Sequence, residues 1–148
     1  MPTFPTRQFG TVEYRDDAVL EFADGLPAFE DAHRFVLIEP SDAAPLLFLQ
    51  SLDRGELRFV AVPAPCIDAS YQLNVPPEEM AALGFENGQP APDDLLCLLI
   101  LTVRPGATTA NLMAPVVIHR KTRRTRQLIQ LDNRYSFEHP LEKVGDAC

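Results

Sequence analysis

Residues 109–131 read Thr-Ala-Asn-Leu-Met-Ala-Pro, then Val-Val-Ile-His, then Arg-Lys-Thr-Arg-Arg, then Thr-Arg-Gln-Leu-Ile-Gln-Leu. Two runs of strand-forming residues, Val116–His119 and Gln127–Leu131, flank a polar and mostly basic connection. That pattern predicts an antiparallel hairpin. Pro115 stands at the mouth of the first strand, where a missing N–H costs least. Arg120, Lys121, Arg123, Arg124 and Arg126 place five of the chain's thirteen Lys and Arg in seven residues. The rest of the chain is therefore more acidic than its total implies.

Working outward, 148 residues suit one domain, with a core over about residues 7–141 and a flexible tail over residues 142–148. A hydrophobic content of 46% supports a packed interior and excludes wholesale disorder. Net charge is −8; without the basic tip, eight basic residues face twenty-one acidic ones, a balance of −13. Such a field repels nucleic acid and anionic membrane and attracts a basic partner. Fourteen prolines against seven glycines indicate stiff loops between short strands.

The N-terminal residues contain no apolar signal region, and the longest apolar run, Leu95–Leu101, is too short for a membrane span. Cys66, Cys97 and Cys148 are odd in number and widely spaced, which argues against a disulfide framework or a zinc knuckle. A reducing cytoplasm is the expected compartment.

Most of the chain alternates short apolar runs with turn residues. Strands are predicted over Gln8–Tyr14, with Val12 and Tyr14 on one face, and over Val19–Phe22, Arg34–Ile38, Leu46–Gln50, Leu57–Val62 and Tyr71–Asn74. Phe29–His33 is read as a single helical turn. Pro77–Leu83 is the main helix expected: Pro77 fits its first position, Glu78 and Glu79 oppose the dipole, and Gly84 stops it. Leu95–Val103 is expected at the centre of the sheet, buried on both faces, and Glu86–Pro92 as a polar loop. The fold class expected is mainly β, one compact antiparallel barrel-like domain with one or two short helices.

Catalytic patterns are thin. His33, His119 and His139 have no metal-ligand partner at helical or hairpin spacing, and His119 is read as a structural histidine. There is no phosphate loop or nucleophile elbow, so no enzyme, cofactor or metal is expected. The basic segment Arg120–Arg126 offers a nucleic-acid-binding alternative. No aromatic residue lies in it to stack on bases, and the acidic body opposes it, so direct nucleic-acid binding is disfavoured. The other reading is a solvated hairpin end that discourages edge association, or a patch that contacts an acidic surface.

Four stretches resemble the FliW family of flagellar assembly factors. They are Phe22-Ala-Asp-Gly-Leu-Pro-Ala-Phe-Glu30, Phe48-Leu-Gln-Ser51, Leu101-Thr-Val103 and, most specifically, Thr109-Ala-Asn-Leu-Met-Ala-Pro-Val-Val-Ile118. Ala28 stands where the family pattern usually has Gly, and His119 where it usually has Asn. The resemblance implies a compact β barrel without catalytic activity. It also implies two partners: CsrA, an RNA-binding translational regulator whose repression of flagellin synthesis is relieved, and flagellin itself.

Candidate partner-binding residues are Leu26, Pro27, Phe29, Gln50, Ser51, Asn111 and Met113. Asn111 either caps a turn or touches the partner; Gln50 and Ser51 either present hydrogen-bonding groups at a rim or satisfy a loop. The apolar loop Leu26-Pro-Ala-Phe29 either folds back into the core or stands out as an anchor, with Phe29 its centre.

Overall fold

In a computed structural model, residues 1–85 and 92–141 are described. The tail expected over 142–148 and nearly all of the loop expected over 86–92 lie outside them. Among the described residues there are eleven strands: β1 (Thr3–Thr6), β2 (Gly10–Glu13), β3 (Leu20–Phe22), β4 (Arg34–Ile38), β5 (Leu47–Ser51), β6 (Arg58–Pro63), β7 (Leu95–Thr102), β8 (Thr108–Ala110), β9 (Val116–His119), β10 (Arg124–Gln127) and β11 (His139–Leu141). One helix, α1, spans Pro77–Ala82.

Strands pair in the order β7-β6-β5-β4-β3-β10-β9, and β9 pairs back to β7, so seven strands close a barrel. Every pairing in this ring is antiparallel except β3 with β10, which are parallel through Glu21–Arg124 and Phe22–Thr125. β8 branches from the far end of β7, and β11 pairs with β8. The mainly β, barrel-like expectation is met.

Side-chain alternation along each strand, with period two, fills the barrel. Leu20 and Phe22 of β3, Phe35 of β4, Leu47 and Leu49 of β5, Ala61 of β6, Leu98 of β7, and Val116 and Ile118 of β9 form the interior cluster. The intervening residues point outward, where three further clusters cover them. Phe4, Tyr14 and Ile38 pack on Val36, Val19 and Leu52. Met80, Leu83 and Phe85 from α1 and its exit pack on Val117 and Leu128. Val62, Leu99, Leu101, Ala110 and Leu112 form the third.

β9 is consequently buried on both faces along its whole length, as is β5. Leu95–Val103 was expected to have that property, and there the structure differs. β7 does sit centrally, pairing with β6, β8 and β9, but it ends at Thr102, and Val103 is 64% exposed. The hairpin after β9 is also present, with its return strand at Arg124–Gln127 rather than Gln127–Leu131. β10 is fixed there because it is gripped on both sides, by β9 and by β3.

Tyr71–Asn74 forms no ladder. Side chains hold it instead: Gln130 accepts the Asn74 N–H at 2.6 Å and donates to the Gln72 carbonyl at 2.8 Å, while the Tyr71 hydroxyl donates to the Leu112 carbonyl at 2.6 Å. Phe29–His33 is not helical; turns return the chain to β4. α1 follows its expected bounds to within one residue, with Leu83 as its C-cap.

Ala28 has φ +70, a conformation that penalises any Cβ. Ala28→Gly is expected to stabilise the fold by about 0.5–1 kcal/mol and raise Tm by about 2 °C. Thermal unfolding by circular dichroism checks this, and a lowered Tm would contradict it.

Candidate functional site

The segment Asp24–Phe29 crosses the end of the barrel where β9 begins and β10 ends. Gly25 starts it at φ +65, in the left-handed region, and the Phe29 N–H returns to the Leu26 carbonyl at 2.7 Å. Leu26 is 2% exposed and belongs to the interior cluster. Phe29 is half-buried, its ring edge-on to Phe59 with centroids 5.6 Å apart, and the Arg54 guanidinium lies 5.6 Å from its centroid. Of the two readings of this loop, the core-filling one holds, and Phe29 is not a protruding anchor.

Pro27 nevertheless stays exposed at the loop's outer surface, beside a cleft of about 300 Å³. The cleft takes Leu26 and Pro27 from the loop, Ile100 and Thr102 from β7, and Asn111, Gln127 and Phe137 from neighbouring segments. Phe137 is 58% exposed. Its position in the turn before β11 leaves the ring at the surface; a single exposed ring is ordinary, and its place on the cleft lining is what makes it a candidate contact.

Asn111 reaches this cleft while its Oδ1 accepts the N–H groups of Met113 and Ala114 at 3.1 and 3.0 Å. The turn-capping role is therefore present, and the side chain also lines the surface. Met113 is half-buried and is not among the cleft-lining residues; its carbonyl accepts the Gln130 N–H at 2.8 Å.

Gln50 and Ser51 are both 0% exposed, which matches the loop-satisfying alternative rather than the rim. Gln50 Nε2 donates to the carbonyls of Ser51, Gly55 and Leu57 at 3.0, 3.2 and 3.2 Å. Ser51 Oγ accepts the N–H groups of Asp53 and Arg54. These polar side chains satisfy the backbone of the β5–β6 turn, whose peptide groups cannot all pair with each other. The sequence reading did not single out six other residues of the cleft: Phe59, Ile100, Thr102, Gln127, Phe137 and Glu138. Only Phe137 left a signal, as a lone aromatic between Ser136 and Glu138.

The basic connection is not uniformly solvated. Arg126 bridges Asp24 at 2.9 Å and Glu79 at 3.0 Å, joining the loop, β10 and α1. Lys121 lies 3.5 Å from Asp94, and Arg123, at φ +67, donates through Nε to the Asp17 carbonyl. Beneath them His119, 7% exposed, stacks on Phe85 with centroids 4.4 Å apart. Its Nδ1 accepts the N–H groups of Lys121 and Thr122 at 3.2 and 3.3 Å. This is the structural histidine expected, doing the capping that an Asn carboxamide also performs.

Burial pushes the Cys97 thiol up to about 12 and raises the Tyr71 phenol as well, so both stay protonated at neutral pH. Among the described residues no helix is long and apolar enough to cross a membrane, and no group of three His, Cys, Asp or Glu is placed to hold a metal.

Comparison with known proteins agrees with the barrel. The profile described as "FliW protein" matches residues 3–141. The flagellar assembly factor FliW of Bacillus pumilus is 31% identical over 145 residues, covering 97% of each chain. That of Thermotoga neapolitana is 32% identical over 139 residues, covering 92% of this chain and 91% of its own. The crystal structure of the flagellar assembly factor FliW superposes with a TM-score of 0.85 at 29% identity, covering 97% of this chain and all of that one. With a family match over nearly its whole length and the same barrel, the chain belongs to the FliW family of flagellar assembly factors.

Proposed function

We propose that this protein acts by binding, in the cytoplasm, as a single-domain antagonist of a CsrA-type RNA-binding regulator. Its binding relieves repression of flagellin synthesis, and flagellin is its second partner. The observation that carries this reading is the cleft around Pro27, Asn111 and Phe137, which exposes an apolar ring on a body of net charge −8. An RNA-binding regulator presents basic surface, which this charge attracts and orients. The exposed Phe137 ring at the cleft then supplies apolar contact that outlasts the encounter. FliW membership supports the same role.

The nucleic-acid alternative is weaker than the sequence suggested. Arg126 is held by two carboxylates, and Lys121 and Arg123 also turn toward the body. That leaves too few outward charges for a string of phosphate contacts.

The test uses a labelled messenger RNA leader bound to a CsrA-type protein. Adding this protein is expected to release the RNA and yield a protein–protein complex on gel filtration. RNA that stays bound, with no co-elution at tens of micromolar, would reject the proposal; a shift of RNA by this protein alone would favour the alternative.

A further inference from the structure

A cleft of about 630 Å³ lies away from Phe137, between the C-terminal end of α1 and the adjoining strands β4, β3 and β10. Its charges come partly from the basic connection, whose remaining cations have no role in the function proposed above. In strand register, Glu21 of β3 stands opposite Arg34 of β4 on one side and Arg124 of β10 on the other. Adjacent strands lie about 4.8 Å apart, so the two arginines start about 10 Å from each other with one carboxylate between them. All three side chains are exposed and line the cleft.

Neither Arg34 nor Arg124 makes an ion pair among the described residues. Arg126 and Asp24, which also line the cleft, are already paired with each other. Arg126 is shared further with Glu79, so the two guanidiniums left without a salt bridge are Arg34 and Arg124, with Glu21 between them. His33 adds a polar group. Its Nδ1 lies 2.8 Å from the Phe22 carbonyl and must carry the proton, which leaves Nε2 to accept an N–H.

The spacing selects among anions. A single small anion seated midway would meet Glu21. Two carboxylates about 10 Å apart would clear it, each facing one guanidinium. A peptide in the polyproline-II conformation rises about 3.1 Å per residue with three residues per turn, so acidic residues three positions apart share one face at about that separation. Its backbone also offers N–H groups to His33. The exposed Ala23 and Ala82 give the trough small, apolar sides that a peptide backbone can approach.

We propose that this cleft docks an acidic peptide segment of a protein partner, with Arg34 and Arg124 each holding one carboxylate. Such pairs are charge-assisted and, with Arg, bidentate. The site is separate from the Phe137 cleft and stands or falls independently of the regulator assigned to it.

The test is fluorescence polarisation with a labelled extended peptide, Gly-Glu-Ser-Ser-Glu-Gly, and a control in which both Glu are Gln. The Glu peptide is expected to bind at least tenfold more tightly than the control. Arg34→Gln with Arg124→Gln should remove that preference, Arg34→Lys with Arg124→Lys should retain part of it, and Arg120→Gln should leave it intact. Thermal unfolding confirms that each variant folds. Equal binding of the two peptides, or an unchanged preference in the double Gln variant, would overturn the proposal. So would complete displacement of the peptide by millimolar inorganic phosphate, which would mark a site for single anions.

Discussion

Gly25→Ala is expected to destabilise the protein by about 3 kcal/mol and to lower Tm by about 6–12 °C. A Cβ at Gly25 would lie 2.6 Å from Glu30 Cα, 2.7 Å from the Phe29 carbonyl oxygen and 2.8 Å from Glu30 C. All three are backbone atoms, so no flexible side chain can yield. The residue also sits at φ +65, where a Cβ is disfavoured independently of its neighbours. Gly10 separates the two effects, since it has φ +65 and nothing within 4 Å of a built Cβ. Gly10→Ala should therefore cost only about 1 kcal/mol. Chemical denaturation of both variants makes the comparison, and equal losses would show that the packing of the 24–30 loop is looser than described.

The second large effect is on binding. Phe137→Ala is expected to weaken association with the proposed CsrA-type partner about 30-fold, corresponding to about 2 kcal/mol, while leaving Tm almost unchanged. The ring is 58% exposed and contributes little to the interior, so its removal leaves no buried cavity. Phe29→Ala should behave in the opposite way. Its ring packs on Phe59 and against the barrel cluster, so stability should fall first and binding only as a consequence. Surface plasmon resonance paired with thermal melts distinguishes the two. Full affinity in Phe137→Ala would remove this cleft from the interface.

Much of the barrel was legible because period-two alternation is local. Arg34–Ile38 matches β4 to the residue, and Pro77 with Glu78 and Glu79 gave α1 its start. The closure was not legible. β3 and β10 are about a hundred residues apart and meet in parallel, and neither strand's own sequence specifies that neighbour. The three-residue strands β8 and β11 are too short to carry a period, and they exist because β7 runs on past β9.

Three of the candidate residues can be followed into one place in the structure. Leu26, Pro27 and Asn111 do meet in one cleft, although each came from its own motif. The setting of Gln50 and Ser51 was not legible, because a polar pair ending a strand looks the same whether it faces solvent or backbone carbonyls. Only the return of Gly55 and Leu57 beneath Gln50 decides it. The basic stretch misled for a related reason: its partners Asp17, Asp24, Glu79 and Asp94 are scattered along the chain.

The central claim is that an acidic body steers a basic regulator onto the cleft where the exposed Phe137 ring then holds it. Titration calorimetry of this protein with a purified CsrA-type regulator, at about 50 and about 300 mM salt, tests it most directly. The account predicts saturable binding at both, with affinity falling by less than about tenfold, because the apolar contact is not screened. No detectable heat at tens of micromolar, or an affinity that collapses at the higher salt, would contradict it.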